Sequence, residues 1–208
     1  MIETLQRQEF PLVVGGNECI ATELYTAAEI DEGIQSMGAA LAAQYEGVSR
    51  VTMVPILQGA VSYAIALRNA MREAGGPRIR MDGIRASSYA GTGSTGKVTI
   101  THGLTHDAQG EHLLVVDDIF DTGLTLREVT RQLRQENPAS VKVTTLLDKP
   151  SELRIQGVIE EIGGVATVFT MDAPHFVIGR GLDYDGKYRE LDYIARVRQP
   201  LHTGGYEP

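Results

Sequence analysis

The sequence predicts an α/β domain with a mostly parallel central sheet flanked by helices. Segments of strand and helix character alternate from about residue 50 onward, and the strand-like runs are short, apolar and closed by Gly-rich or polar turns. With 208 residues, 42% of them hydrophobic, the chain can bury one sizeable core and has room for a small appended lobe.

Taken in order, the first 30 or so residues fit the alternation least well and are expected to form that lobe. VTMVPIL (51–57) reads as a buried strand. QGAVSYAIALRNAMREAG (58–75) reads as a helix, with Val61, Ala64, Ile65 and Ala66 apolar and Gly75-Gly76-Pro77 as its stop. RIRMDGIRASSY (78–89) is strand-like. AGTGSTG (90–96) is too polar and Gly-rich to pack and is expected to be mobile, with KVTI (97–100) as a partner strand. HLLVV (112–116) is the next strand, and LTLREVTRQLRQENP (124–138) is an amphipathic helix stopped at Asn137-Pro138. SVKVTTLLD (140–148) is a further strand, HFVIG (175–179) and YIARV (193–197) supply shorter ones, and LHTGGYEP closes the chain as a flexible tail. Residues 151–174 carry no clear signal.

Composition excludes several functions. No apolar run approaches the roughly 18 residues of a membrane span and MIETLQRQEF has no signal-segment character, so no membrane partner and a cytoplasmic location are expected. The single Cys19 leaves no thiolate cluster for zinc and no internal disulfide, and reads as a small buried side chain. A net charge of −8 argues against nucleic acid as a partner, though a small anion can still be held locally. His102 and His106 stand four apart but flank Gly103 in a loop, and are read as solvated.

The chemistry concentrates in HLLVVDDIFDTGLTL (112–126), where an apolar strand ends on Asp117-Asp118 and a third carboxylate, Asp121, opens a helix. A helix start offers unpaired N–H groups and the positive end of the dipole, so Asp121, Thr122, Gly123, Leu124 and Thr125 form a candidate phosphate cradle that needs no lysine. Carboxylates at a strand's carboxyl end lie where open α/β sheets bind ligands, and Asp117 and Asp118 suit vicinal sugar hydroxyls. Alone, each of these aspartates reads as a strand end or a helix cap; together they suggest a ribose 5-phosphate site. The sequence has no P-loop pattern and no Gly-x-Gly-x-x-Gly after a strand.

LLVVDDIFDTGLTL resembles the phosphoribosyl pyrophosphate signature of the type I phosphoribosyltransferases. Three further stretches resemble the hypoxanthine-guanine, or 6-oxopurine, branch: SSYAGTGSTGKV (87–98), LLDKPS (146–151) and HFVIGRGLDYDGKYREL (175–191). The resemblance covers roughly residues 50–198. It implies the type I phosphoribosyltransferase fold over one domain, 1–208, with a core over about 35–180 and a small hood lobe from the N-terminal segment and residues about 181–200. It implies magnesium-dependent transfer of phosphoribosyl from phosphoribosyl pyrophosphate to hypoxanthine or guanine, with xanthine as an alternative base, in a homodimer or tetramer.

The resemblance also implies residue roles. Asp121 would be the acid/base at N7 of the purine, Asp117 and Asp118 would hold the ribose, and Ser88 and Tyr89 would sit in a loop that closes over the reacting groups. Lys149 would donate to the purine 6-oxo group, Phe176 would stack on the base, and backbone groups near Val177 and Leu182 would read its edge. Asp183 would hold magnesium together with Asp117 and Asp118, and Arg189 would meet pyrophosphate. The departure is Leu57-Gln58-Gly59-Ala60, where the family commonly has Leu-Lys-Gly-Gly. Gly59 keeps the close backbone approach that Gln58 and Gly59 need to bind pyrophosphate, while the lysine charge is lost. A nucleotide-sensing regulator on the same fold is the reading from a different class.

Overall fold

The computed structural model describes residues 7–14, 17–88 and 98–198, and these divide after residue 31 and after residue 174 into two compact units, the smaller from the two ends and the larger from between them. The larger unit is a seven-stranded sheet with helices against it. Strands β3 (Arg50–Leu57), β7 (His112–Phe120) and β8 (Ser140–Asp148) run parallel, with Val54 opposite Val115 and Val115 opposite Val143. β9 (Ala166–Thr170) continues the parallel order beyond β8. On the other side of β3, β4 (Arg78–Met81) pairs with its first half and β5 (Ile84–Ser88) with its end. The edge strand β6 (Val98–His102) is antiparallel to β5.

Burial explains why these runs are strands. Residues 51–56 of β3 and 113–117 of β7 are buried without alternation, which is the pattern of a sheet covered on both faces. The cover comes from α2 (Val61–Glu73), which buries Tyr63, Ala64, Leu67, Ala70 and Met71, and α3 (Leu124–Arg134), which buries Leu126, Val129, Thr130 and Leu133. The Tyr63 hydroxyl is 2.7 Å from Thr144 Oγ1, so the buried phenol is paired. The helix expected from residue 58 begins at Val61, because residues 58–60 form a turn.

Helix α1 (Ala27–Gln44), which the sequence reading did not assign, carries the boundary between the units. Its start is a capping box: Thr26 Oγ1 accepts from Glu29 N at 3.2 Å, and the Glu29 carboxylate accepts from Thr26 N at 2.8 Å. Arg7 donates to both Glu29 oxygens, and that hydrogen bond, ahead of the Thr26 contacts, pulls the Glu29 pKa down to about 2. Further along, Gly38 lets α1 approach α2, since a Cβ there would lie 2.4 Å from Ala70 Cβ.

The smaller unit is an antiparallel sheet in the order β1 (Glu9–Val14), β2 (Asn17–Tyr25), β11 (Ile194–Arg198), β10 (Phe176–Ile178). Its core contains Cys19, Ala21, Ile178, Ala195 and Val197, so Cys19 is a buried small side chain. Within 151–174, the stretch that carried no sequence signal, lie α4 (Val158–Ile162) and β9. His106 is exposed, as expected of a solvated side chain, and its Nδ1 also lies 3.1 Å from Oδ2 of the buried Asp82, which accepts from Thr105 N. No helix among the described residues is long and apolar enough to cross a membrane.

Losing the Thr26 cap should cost about 1 kcal/mol. Thr26→Ala is therefore expected to lower the midpoint of urea unfolding followed by circular dichroism, with no change in folded helix content beyond the first turn of α1.

Candidate active site

A parallel sheet delivers all its carboxyl ends to one edge, and in the larger unit that edge collects three turns. They follow β3 (Gln58–Ala60), β7 (Asp121–Gly123) and β8 (from Lys149).

The acidic pair lies near the carboxyl end of β7. Asp117 is buried at 8% exposure and its Oδ1 accepts from Asp118 N at 3.0 Å, while Asp118 is half-buried. Burial, and then the charge of Asp118, push the Asp117 carboxyl well above its ordinary value. The turn after β3 comes in against Asp118: a Cβ built on Gly59 would sit 1.8 Å from Asp118 Oδ2. Only glycine fits there without moving the carboxylate. The Leu57-Gln58 peptide is cis and Gln58 is exposed.

Downstream, Gly123 caps α3 with φ +81°, a left-handed conformation, and a Cβ there would meet Val158 at 2.8 Å and Phe120 at 3.0 Å. Thr122 Oγ1 accepts from Leu124 N at 3.3 Å, and Thr122, Leu124 and Thr125 are half-buried around the helix start. Asp121 and Lys149, 28 residues apart in the chain, form an ion pair of 3.1 Å. The larger unit thus brings together Asp117, Asp118, Gly59, the Asp121–Thr125 turn and Lys149.

Other residues named from the sequence lie in the smaller unit. Phe176 is exposed at 39%, on the edge strand β10, and meets Tyr184 edge to face at 5.4 Å between ring centroids. Val177 is buried beside it. Leu182 is buried, and its N–H and C=O both pair with Gly179. The Asp183 carboxylate accepts from Gly186 N at 2.7 Å and pairs with Arg189 Nη2 at 2.7 Å, and Arg189 also donates to Gly181 O. Arg189 and Asp183, to which the sequence reading gave different ligands, are therefore partners of each other. Ser88 ends β5, and Tyr89 with the rest of the Gly-rich loop lies outside the described residues.

No group of three or more His, Cys, Asp or Glu among the described residues is arranged to hold a metal ion. Adjacent carboxylates without a protein cage nevertheless fit magnesium, which keeps much of its coordination in water and phosphate oxygens and takes only one or two carboxylates from a protein.

A cavity of about 890 Å³ lies at the opposite, amino edge of the sheet, lined by Arg50, Arg78, Arg80, Glu111 and His112 among others. There Glu111 accepts from Thr52 Oγ1 at 2.7 Å and pairs with Arg50 at 2.5 Å, and these contacts hold its pKa down. The carboxyl edge, where the acidic pair and the helix start converge, is the candidate site on chemical grounds. Sequence reasoning missed Arg154, which donates to Phe120 O at 2.9 Å and Asp121 O at 3.0 Å from an irregular segment with no local pattern to mark it.

Residues 22–185 match the family model of the phosphoribosyl transferase domain. The chain is 37% identical over 176 residues to the hypoxanthine-guanine phosphoribosyltransferase of Streptococcus pneumoniae, covering 84% of this chain and 92% of that one. It is 35% identical over 180 residues to the hypoxanthine-guanine-xanthine phosphoribosyltransferase of Tritrichomonas foetus, covering 86% and 93%. Among solved structures, the hypoxanthine phosphoribosyltransferase of Trypanosoma cruzi aligns with a TM-score of 0.76 and 33% identity, over 85% of this chain and 90% of that one.

The raised Asp117 pKa makes a stability prediction. A carboxyl whose pKa is higher folded than unfolded favours folding below its ordinary value of 3.8, and that contribution is lost as pH rises through the folded value. Above that range the ionised side chain is a cost. Asp117→Asn is expected to melt at a higher temperature than the unsubstituted chain at neutral pH, with the gap closing toward about pH 4. A series of Tm measurements against pH checks both parts.

Proposed function

The chain belongs to the phosphoribosyltransferase family, in its hypoxanthine-guanine branch, and from that premise we propose that it serves purine salvage. The reaction is transfer of the 5-phosphoribosyl group from phosphoribosyl pyrophosphate to N9 of hypoxanthine or guanine, giving the nucleoside monophosphate and pyrophosphate. The observation that carries the proposal is the convergence of the Asp117–Asp118 pair, the α3 start and the Lys149–Asp121 pair on one sheet edge.

Each residue has a task in this reading. The N–H groups of 121–125 hold the 5′-phosphate, with the helix dipole behind them. Asp117 and Asp118 accept from the 2′- and 3′-hydroxyls. Asp121 moves the purine proton at N7. Lys149 donates to a 6-oxo group and disfavours adenine, whose amine would set donor against donor. Phe176 supplies a ring face for the base and Val177 an edge, and Arg189 supplies charge for pyrophosphate. Gly59 gives pyrophosphate a close backbone approach, and Gln58 in place of lysine weakens that subsite without removing it. Ser88 and Tyr89 belong to a closing loop that shields the developing ribosyl cation from water.

Magnesium, when bound, supplies positive charge to the pyrophosphate leaving group. Asp117 and Asp118 in the larger unit and Asp183 in the smaller are the candidate ligands. The domain reading keeps 1–208 as one functional domain with a core and a hood, cytoplasmic, and assembled as a homodimer or tetramer.

Xanthine is the second substrate reading, favoured by the similarity to an enzyme named for hypoxanthine, guanine and xanthine. The nucleotide-sensing regulator is disfavoured by the net charge of −8.

The deciding experiment incubates the protein with phosphoribosyl pyrophosphate, magnesium and hypoxanthine, guanine, xanthine or adenine separately. Conversion of 6-oxopurines and not adenine is expected; conversion of adenine, or of no base, would reject the reading. Asp121→Asn is expected to keep nucleotide affinity and lose about 10²-fold or more in kcat, and an unchanged kcat would remove Asp121 from proton transfer.

A further inference from the structure

Three successive carbonyls, the last of β7 and the first two of the turn after it, are fastened by the segment after β8. Phe120 O accepts from Lys149 N at 3.0 Å and Arg154 Nη2 at 2.9 Å, Asp121 O from Arg154 Nε at 3.0 Å, and Thr122 O from Ile155 N at 3.0 Å. The same guanidinium donates to Lys149 O, pairs with the Asp148 carboxylate at 2.5 Å, and lies 4.1 Å over the Phe120 ring. One side chain therefore touches both the turn that carries Asp121 and the turn that carries Lys149.

Peptide geometry gives this clamp a consequence. In a planar trans peptide the N–H of one residue points opposite the carbonyl of the residue before it. Drawing the carbonyls of 120, 121 and 122 toward Arg154 and Ile155 turns the N–H groups of Asp121, Thr122 and Gly123 the other way.

We propose that Arg154 is a positioning residue that shapes the phosphate site: it aims the backbone N–H groups of 121–123 at the ligand and sets Lys149 against Asp121 without touching substrate. The proposal rests on the reading of 121–125 as the 5′-phosphate cradle. Arginine is required because the contacts use several N–H groups of one plane together with the stacked face of that plane. Lysine, a point charge on a flexible stem, can replace the Asp148 ion pair but not the two-carbonyl grip on Phe120 and Asp121.

The test compares the unsubstituted chain with Arg154→Lys. Affinity for ribose 5-phosphate is titrated calorimetrically, and KM for phosphoribosyl pyrophosphate and for base is measured on the same preparations. Arg154→Lys is expected to weaken ribose 5-phosphate binding and raise the phosphoribosyl pyrophosphate KM by roughly ten-fold or more, with the base KM changed much less. A folded variant with unchanged ribose 5-phosphate affinity, or with both KM values raised equally, would overturn the proposal.

If Arg154→Lys does not fold, Asp148→Asn keeps the shape and loosens one hold on the guanidinium. It is expected to shift ribose 5-phosphate affinity in the same direction by a smaller factor, and no shift would count against the clamp. Because the titration needs no turnover, a chain that binds ribose 5-phosphate yet converts no base would reject the proposed activity while still deciding the role of Arg154.

Discussion

The parallel alignment of β3, β7 and β8 is the constraint on which the larger unit's chemistry depends. β7 is paired along both sides, with Thr52 through Pro55 opposite Leu113 through Val116 and with β8 from His112 to Phe120. Parallel strands need crossover connections, and those crossovers, α2 and α3, bury the sheet on both faces. The result is that three turns far apart in sequence open on the same edge. Gly59, Asp118, Asp121 and Lys149 need no local attraction to meet, because the ladder brings them there. A one-residue slip of β8 against β7 would move Lys149 by about 3.3 Å along the strand, beyond the reach of its present contact with Asp121.

The edge holds three carboxylates, Asp117, Asp118 and Asp121. Two features reduce the repulsion. Asp117 is kept toward its neutral form by burial, and Asp121 is faced by the Lys149 ammonium at 3.1 Å. The α3 start adds positive potential from its backbone N–H groups and dipole, without a mobile side chain. Crowding at Asp118 shows how tightly these parts are set, since a single methyl group at Gly59 would overlap its carboxylate.

How much of this was legible followed the physics of each element. Strands buried on both faces leave uninterrupted apolar runs, so VTMVPIL, HLLVV and SVKVTTLLD were readable, and so was α3 with its amphipathic stripe. α1 was missed although Ile30, Ile34 and Leu41 share a buried stripe and Thr26-Ala-Ala-Glu29 has the capping-box pattern, because small Ala and Gly residues dilute the signal. The run 78–89 was read as one strand, but two short strands flank buried Asp82, whose carboxylate ties down Thr105 and His106. The acidic turn was legible as a motif because its residues are contiguous. The Lys149–Asp121 pair and the Arg154 contacts were not, because they join positions 28 to 34 residues apart.

That last distinction separates two kinds of functional residue. Those that meet a ligand are constrained in type and local spacing, since a phosphate needs consecutive N–H groups and a diol needs neighbouring acceptors. Those that hold the first kind in place are constrained only by where the fold puts them, and any segment that returns to the same edge can supply them. Residues 151–157 return in this way: Ile155 N reaches Thr122 O, and Val158 packs where a side chain at Gly123 would stand. The left-handed Gly123 that starts α3 is therefore matched to a segment thirty-odd residues later. A change in either has to be accommodated by the other if the helix start is to keep its geometry.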